Sequence, residues 1–389
     1  MAKRAHWPCF APDEIAAATT VLASGKVNYW TGGEGRAFEQ EFAAAIGTGH
    51  AVALANGTVA LEAALQALRI EAGDEVVLTP RTFMASASAI ALQGAVPVFA
   101  DVDPVSQNIT AATIAPRLSG RTRAILCVHL AGWPCEMDAI CALAQAHRLA
   151  VIEDCAQAHG ARYHGRPVGA WGEIAAWSFC QDKIMTTGGE GGMITTDETA
   201  LARHVWSLKD HGKSWEAVHA ADHPPGFRWL HAGFGTNWRM TEMQAAIGRV
   251  QLRKLPAWSA ARRRNAAIMN EGLAGIDGLR LTLPPAEVEH AYYKYYVFVR
   301  PERLASGWPR DRIMTEIAQR GVPCFSGSCP ELYRERAFAG TGSHPGQALP
   351  VAALLGETSL MFLIDPTLDE TACWRQVEVT RDVLRQAMR

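Results

Sequence analysis

WSFCQDKIMTTGGEGGMITTD, residues 177–197, places one lysine, Lys183, five residues ahead of a run of glycines. A phosphate-wrapping loop of the GxxxxGK[ST] kind needs the reverse order, with backbone N–H groups of the glycines surrounding the phosphates before the lysine arrives. Here Gly188, Gly189, Gly191 and Gly192 all follow Lys183. The order argues against a nucleoside triphosphatase, and no acidic strand of the matching kind compensates. A lysine in a tight turn between two strands, flanked by apolar residues, is suited instead to losing its proton and forming a Schiff base. The glycines let the chain fold close beside it. Taken alone, Lys183 reads equally as a solvated turn residue.

Around this stretch, residues 50–200 alternate short β-branched runs with longer helical ones, the pattern of βαβ units on a parallel sheet. Strands are expected at AVAL (51–54), EVVLTP (75–80), VPVFADVD (96–103), RAILCVHL (123–130), AVIEDCA (150–156) and AAWSF (175–179). DHPPGFRW, from Asp222, reads as a loop because Pro-Pro-Gly cannot continue a helix. RMTEMQAAIGRVQLRKL starts a long helix near Arg239, YYKYYVFV (292–299) reads as a strand, and RDRIMTEIAQRG as a helix. The expected fold class is α/β: a large domain over 1–260 with a mostly parallel sheet flanked by helices, then a smaller α+β domain over 261–389.

The bulk properties agree with an enzyme-like globule. At 389 residues and 49% apolar content the chain can bury two cores. Lys and Arg number 37 against 39 Asp and Glu, with no block of like charge, so neither a nucleic acid nor a membrane surface is the expected partner. A small molecule is. Nine cysteines without a CxxC pair argue against disulfides and structural zinc. The first residues lack an apolar signal core, and no stretch approaches the ~18 apolar residues of a membrane helix. The cytoplasm is the expected address.

In open parallel sheets ligands bind beyond the carboxyl ends of the strands, so the residues just after each strand carry the chemistry. After AVALA, Asn56-Gly57-Thr58 opens a helix whose free N–H groups suit an anion, although it also reads as an ordinary N-cap. After EVVLTP, Phe83 is either core or a ring offered to a bound group. Asp154 ends a buried apolar strand, where an acid is costly unless it meets a cation or a donor. An aldehyde for Lys183, a cationic ring nitrogen for Asp154, a flat ring for Phe83 and a phosphate for the Gly57 helix together describe pyridoxal 5'-phosphate.

ALANGTVALEAAL, TPRTFMASASAI, VHLAGWPCEMDAI, IEDCAQAHGARYHGRPVG, WSFCQDKIMTTGGEGGM and FGTNWRMTEMQAAIG resemble, in order, the motifs of the DegT-type nucleotide-sugar aminotransferases, fold-type I pyridoxal phosphate enzymes. The likeness covers roughly residues 10–260, with a weaker pattern beyond. It implies that Lys183 carries the cofactor and Asp154 partners the pyridine nitrogen, with Phe83 stacked on the ring. Gly57, Thr58 and Ser178 would bind the phosphate and Gln157 would sit near the ring hydroxyl. Asn237 would reach a phosphate from the other subunit of a homodimer. Metal ligands are not part of this pattern.

The implied reaction moves an amino group from L-glutamate to a nucleotide-linked keto-sugar, first of all a 4-keto-6-deoxy hexose, for polysaccharide or glycan biosynthesis. The rival acceptors are 3-keto sugars and a keto-inositol, because VPCFSGSCPELYRERAF (322–338) stands where many members have a His-containing segment. His129, His211 and Lys213 lie near motifs but read as solvated residues. A branch of the family with histidine at the lysine position works as a dehydratase, and other members were first assigned to regulation. Lys183 and Asp154 together argue for transamination over both.

Overall fold

The computed structural model describes residues 6–220, 228–343 and 345–388. The loop expected at DHPPGFRW lies, over 222–227, outside the described residues. Five strands come first: β1 (His50–Leu54), β2 (Glu75–Leu78), β3 (Val96–Phe99), β4 (Thr122–Val128) and β5 (Ala150–Asp154). A short hairpin, β6 (Arg162–Tyr163) and β7 (Arg166–Pro167), precedes β8 (Ile174–Ser178) and β9 (Gly192–Thr196). A seven-stranded sheet takes the order β1-β9-β8-β5-β4-β2-β3. Its strands from β8 to β3 pair in parallel, and β9 alone runs antiparallel to its neighbours β8 and β1.

Parallel strands are covered on both faces, which is why β2 and β4 read as unbroken apolar runs. Val76, Val77, Leu78, Ile125 and Leu126 have no exposed surface, and burying each such side chain contributes about 1.5–3 kcal/mol. The glycine-led GMITT of β9 lacked that signal. Its threonines instead donate their hydroxyls to the segment that leads into β8, Thr195 to the carbonyl of Gly169 and Thr196 to that of Glu173.

The long helix runs Glu242–Leu273, well past the expected stretch and through the division drawn at 260/261. Thr241 starts it: its hydroxyl accepts from the Gln244 N–H, while the Gln244 side chain accepts from the Thr241 N–H. Then come β10 (Leu279–Leu281), β11 (Val288–Glu289), β12 (Tyr295–Val299), β13 (Cys324–Phe325) and β14 (Ser359–Phe362). β11 extends the β6–β7 hairpin, and the rest form an antiparallel sheet, β10-β12-β14-β13.

One core packs Met269, Leu273, Val297, Ile313 and Phe362 behind this second sheet. Tyr296, Phe298 and Met361 join the main core instead, tying the two sheets together. The tyrosine-rich run begins its strand only at Tyr295, because Ala291 and Lys294 first donate backbone N–H groups to the carbonyls of Gly132 and Ala131, just past β4. That detour carries Tyr293 and Lys294 over the carboxyl edge of the main sheet. Among the described residues no helix is long and apolar enough to cross a membrane.

Candidate active site

A cavity of about 730 Å³ opens at that carboxyl edge. Gly57, Thr58, Phe83, Asp154, Gln157, Ser178 and Lys183 all line it, so seven of the eight sequence-predicted site residues come together. Asn237 does not line it. It is exposed, bridged to Asp210, in a segment whose neighbour Trp238 accepts the Ala55 N–H beside the Asn56-Gly57 turn.

The loops explain the convergence. Asn56 caps the helix Gly57–Ala67 by accepting the Val59 N–H at 3.0 Å, leaving the N–H groups of the first turn directed at the cavity. A Cβ on Gly57 would stand 2.5 Å from Cβ of Ser178, so only glycine lets the β1 and β8 loops approach this closely. Likewise a Cβ on Gly192 would meet the Asn56 carbonyl oxygen at 2.2 Å. Gly188 and Gly189, at φ 91° and 136°, turn the chain back after Lys183. The Lys183 backbone is held at both ends, its N–H donating to Cys180 and its carbonyl accepting Nε1–H of Trp7 at 2.8 Å.

Asp154 is buried, with Oδ2 accepting from the Ser86 hydroxyl at 2.8 Å and Oδ1 from the Ala156 N–H at 3.1 Å. Burial pushes its carboxyl above the usual range, against the pull of Ser86, Ala156 and Lys183. No cation pairs with it among the described residues, so a cationic ring N–H fits the place left beside it. Phe83 is 72% exposed, an apolar ring open to stacking by a flat group in the cavity. Gln157 turns its side-chain oxygen to the Ala131 N–H at 2.8 Å. Donor set, ring wall and helix terminus fit pyridoxal phosphate.

Among the lining residues that the sequence left unmarked are Ser86, Asp182, Glu190, Tyr293 and Lys294. Asp182 lies 3.8 Å from Lys183 Nζ and accepts the Tyr293 hydroxyl. Burial works against the Asp182 charge, but Lys183 and that hydroxyl prevail and hold its carboxyl below the usual range. In the segment that departs from the family pattern, Gly327 and Ser328 reach the cavity. The Ser328 N–H donates to the Tyr296 hydroxyl at 2.9 Å, and a Cβ on Gly327 would lie 2.3 Å from that oxygen.

The three polar residues set aside as solvated are not all so. His129 is fully buried, its Nδ1 accepting the Cys135 N–H and its Nε2–H donating to Glu153 at 3.0 Å. Glu153 also accepts N–H groups of Gly169, Trp171 and Gly172, so its oxygens are committed even though His129, Glu153 and Cys155 hold ligand-type atoms within 4.8 Å of one another. Lys213 pairs with Asp210 at 2.9 Å, and His211 is exposed. None of the three lines the cavity. A second cavity of about 240 Å³ beyond Trp177 contains none of the predicted groups; there burial pushes the His159 pKa down to about 3.

Residues 8–378 match the model of the DegT/DnrJ/EryC1/StrS aminotransferase family. The UDP-N-acetyl-3-dehydro-alpha-D-glucosamine 3-aminotransferase of Acidithiobacillus ferrooxidans is 37% identical, over 98% of this chain and 96% of its own. The dTDP-3-amino-3,4,6-trideoxy-alpha-D-glucose transaminase of Streptomyces venezuelae is 34% identical, over 94% and 91%. An X-ray structure of an aminotransferase from Psychrobacter cryohalolentis superposes with a TM-score of 0.97, covering 99% of this chain and 100% of that one at 54% identity.

Proposed function

The chain belongs to the DegT/DnrJ/EryC1/StrS aminotransferase family, and from that premise we propose that it transfers an amino group from L-glutamate to a nucleotide-linked keto-sugar. The family's aminotransferases depend on pyridoxal 5'-phosphate. The observation carrying the proposal is the convergence of Lys183, Asp154, Ser178 and the Gly57 helix terminus on one cavity. When bound, the cofactor supplies an electron sink and a temporary carrier for the amino group.

The chain's own groups do the rest. Lys183 would hold the cofactor covalently, and its amine, once freed, would take the proton from the donor's α-carbon and return it to the carbon that keeps the transferred nitrogen. Asp154 keeps a proton on the ring nitrogen, and its burial makes that interaction strong. Gly57 and Thr58 N–H groups and the Ser178 hydroxyl anchor the phosphate. Phe83 and Gln157 line the same cavity, where Phe83 would stack on the ring and Gln157 would sit near its hydroxyl.

For the acceptor, the sequence expectation is a 4-keto-6-deoxy hexose, and the apolar Met361 and Tyr296 on the cavity wall suit its methyl group. The names of the two curated relatives favour a second reading, a 3-keto sugar. Incubation of holoenzyme with glutamate and each class of nucleotide-linked keto-sugar separates them, by mass spectrometry of the product and by release of 2-oxoglutarate. Amination of neither, with no 2-oxoglutarate released, removes the proposal and leaves the dehydratase and regulator readings.

We assign Asn237 to the partner's site in a homodimer. Its exposure outside the cavity supports this, as does the apolar surface on the same stretch, Trp229 at 86% and Phe234 at 102% exposed. If so, a dimer of a Lys183→Ala chain with an Asn237→Ala chain has one site with both defects and one with neither. Random reassortment of equal amounts should restore about one quarter of native activity, because a two-fold pair supplies both sites reciprocally. Hybrid dimers verified by mass spectrometry yet as inactive as their parents place Asn237 in its own subunit's site.

A further inference from the structure

Lys183 is not the only lysine on the cavity wall. Lys294 Nζ sits 4.4 Å from the centroid of the Tyr293 ring, and Lys183 Nζ sits 5.1 Å from the same centroid. They are the only cations among the described residues lining the cavity. Lys183 is committed to the cofactor. Lys294 has neither a hydrogen bond through its ammonium nor an ion pair among the described residues. Asp182 acts on it electrostatically but is already engaged by Lys183 and the Tyr293 hydroxyl.

A half-buried ammonium without a hydrogen-bonded counterion is costly, and the cost falls when an anion arrives to pair with it. We propose that Lys294 forms a carboxylate subsite of the cofactor cavity, taking the side-chain acid of the amino donor while the donor's nitrogen engages the position of Lys183. The proposal rests on the aminotransferase reading.

The distances allow it. Both nitrogens contact one tyrosine ring, so their separation cannot exceed the sum of the two centroid distances. An extended glutamate spans about 6 Å from its nitrogen to a side-chain carboxylate oxygen by ordinary bond lengths, and a charge-assisted hydrogen bond adds about 2.8 Å. A nucleotide diphosphate, with charge on two phosphates, would leave most of it unmatched on a single lysine. Burial pushes the Lys294 pKa down to about 8, with Arg262 and Lys183 pressing the same way against Asp182 and Asp365, so an incoming carboxylate would favour a charge that burial weakens.

The test uses holoenzyme with Lys294→Met and Lys294→Arg, and Lys294→Gln should the methionine variant fail to fold. KM is measured for glutamate and for the nucleotide-linked acceptor, and calorimetry follows binding of glutarate, a dicarboxylate without an amine. Loss of one charge-assisted hydrogen bond should raise the glutamate KM about 10- to 100-fold in Lys294→Met. The acceptor KM and kcat should stay within about threefold, as expected when binding alone is lost. Glutarate binding should weaken in parallel, and Lys294→Arg should recover most of both.

A changed acceptor KM with an unchanged glutamate KM overturns the proposal in favour of a phosphate contact. Unchanged glutamate KM and glutarate binding, in a wild type that turns over normally, overturn the subsite alone. A wild type that transfers nothing from any amino acid overturns the aminotransferase reading beneath it.

Discussion

Lys183→Ala is expected to fold, to lose the yellow colour of covalently held cofactor, and to lose transamination by at least about 10⁴-fold, the scale seen when the group forming a covalent bond is removed. The fold should survive because the loop is fixed through backbone rather than the amine. The Lys183 N–H donates to Cys180, the carbonyl accepts from Trp7, and the glycines beyond supply the turn. Alanine keeps all of these. What it removes is the Nζ beside Asp182 and over Tyr293, the only described amine in the cavity besides Lys294. The colour is read by absorbance after purification with added pyridoxal phosphate, and turnover by 2-oxoglutarate release. Full transamination by the alanine protein would remove Lys183 from the chemistry and move attention to Lys294.

How far this site was legible in the sequence depended on whether its evidence was local. Lys183 was readable because its glycines stand on the wrong side for a phosphate loop, and Asp154 because an acid closes an apolar strand. Gly57 followed from the same logic at the end of β1. The Asp182–Tyr293 contact joins residues 111 apart in the chain, and no local pattern encodes it. Lys294 sits inside a run that reads as a buried strand. The structure shows why that reading fails for its first three residues: the backbone is diverted to the Ala131 and Gly132 carbonyls before β12 starts. Ser86 hid within a run of small helix-forming residues, its hydroxyl meaningful only because β5 delivers Asp154 opposite it. β9 was missed for a related reason, since its threonine hydroxyls find partners in the segment before β8 that the sequence does not display.

The second large effect belongs to Asp154. Asp154→Asn is isosteric, and its side-chain oxygen can still accept from Ser86 or from the Ala156 N–H, so the cavity should keep its shape. The charge is what changes. In the protein alone burial disfavours the carboxylate, while Ser86, Ala156 and Lys183 favour it, and a protonated ring nitrogen would favour it further. Asparagine cannot hold that proton: a neutral amide gives the ring nitrogen no reason to stay cationic, and an uncharged ring withdraws electrons poorly. Removing one member of a buried charged pair costs about 3–5 kcal/mol, which would correspond to a slowing of about 10²- to 5 × 10³-fold in proton removal from the donor if the whole cost fell on that step. Binding through the phosphate cradle is separate, at Gly57, Thr58 and Ser178, so cofactor retention should fall far less than the rate. Rapid mixing of the variant holoenzyme with glutamate, followed by absorbance, measures the slowed step directly, while dialysis measures retention. A variant reacting at the native rate would make Asp154 a structural carboxylate, and one that loses cofactor in step with activity would make it an anchor; only a rate lost with cofactor still in place supports the role assigned here.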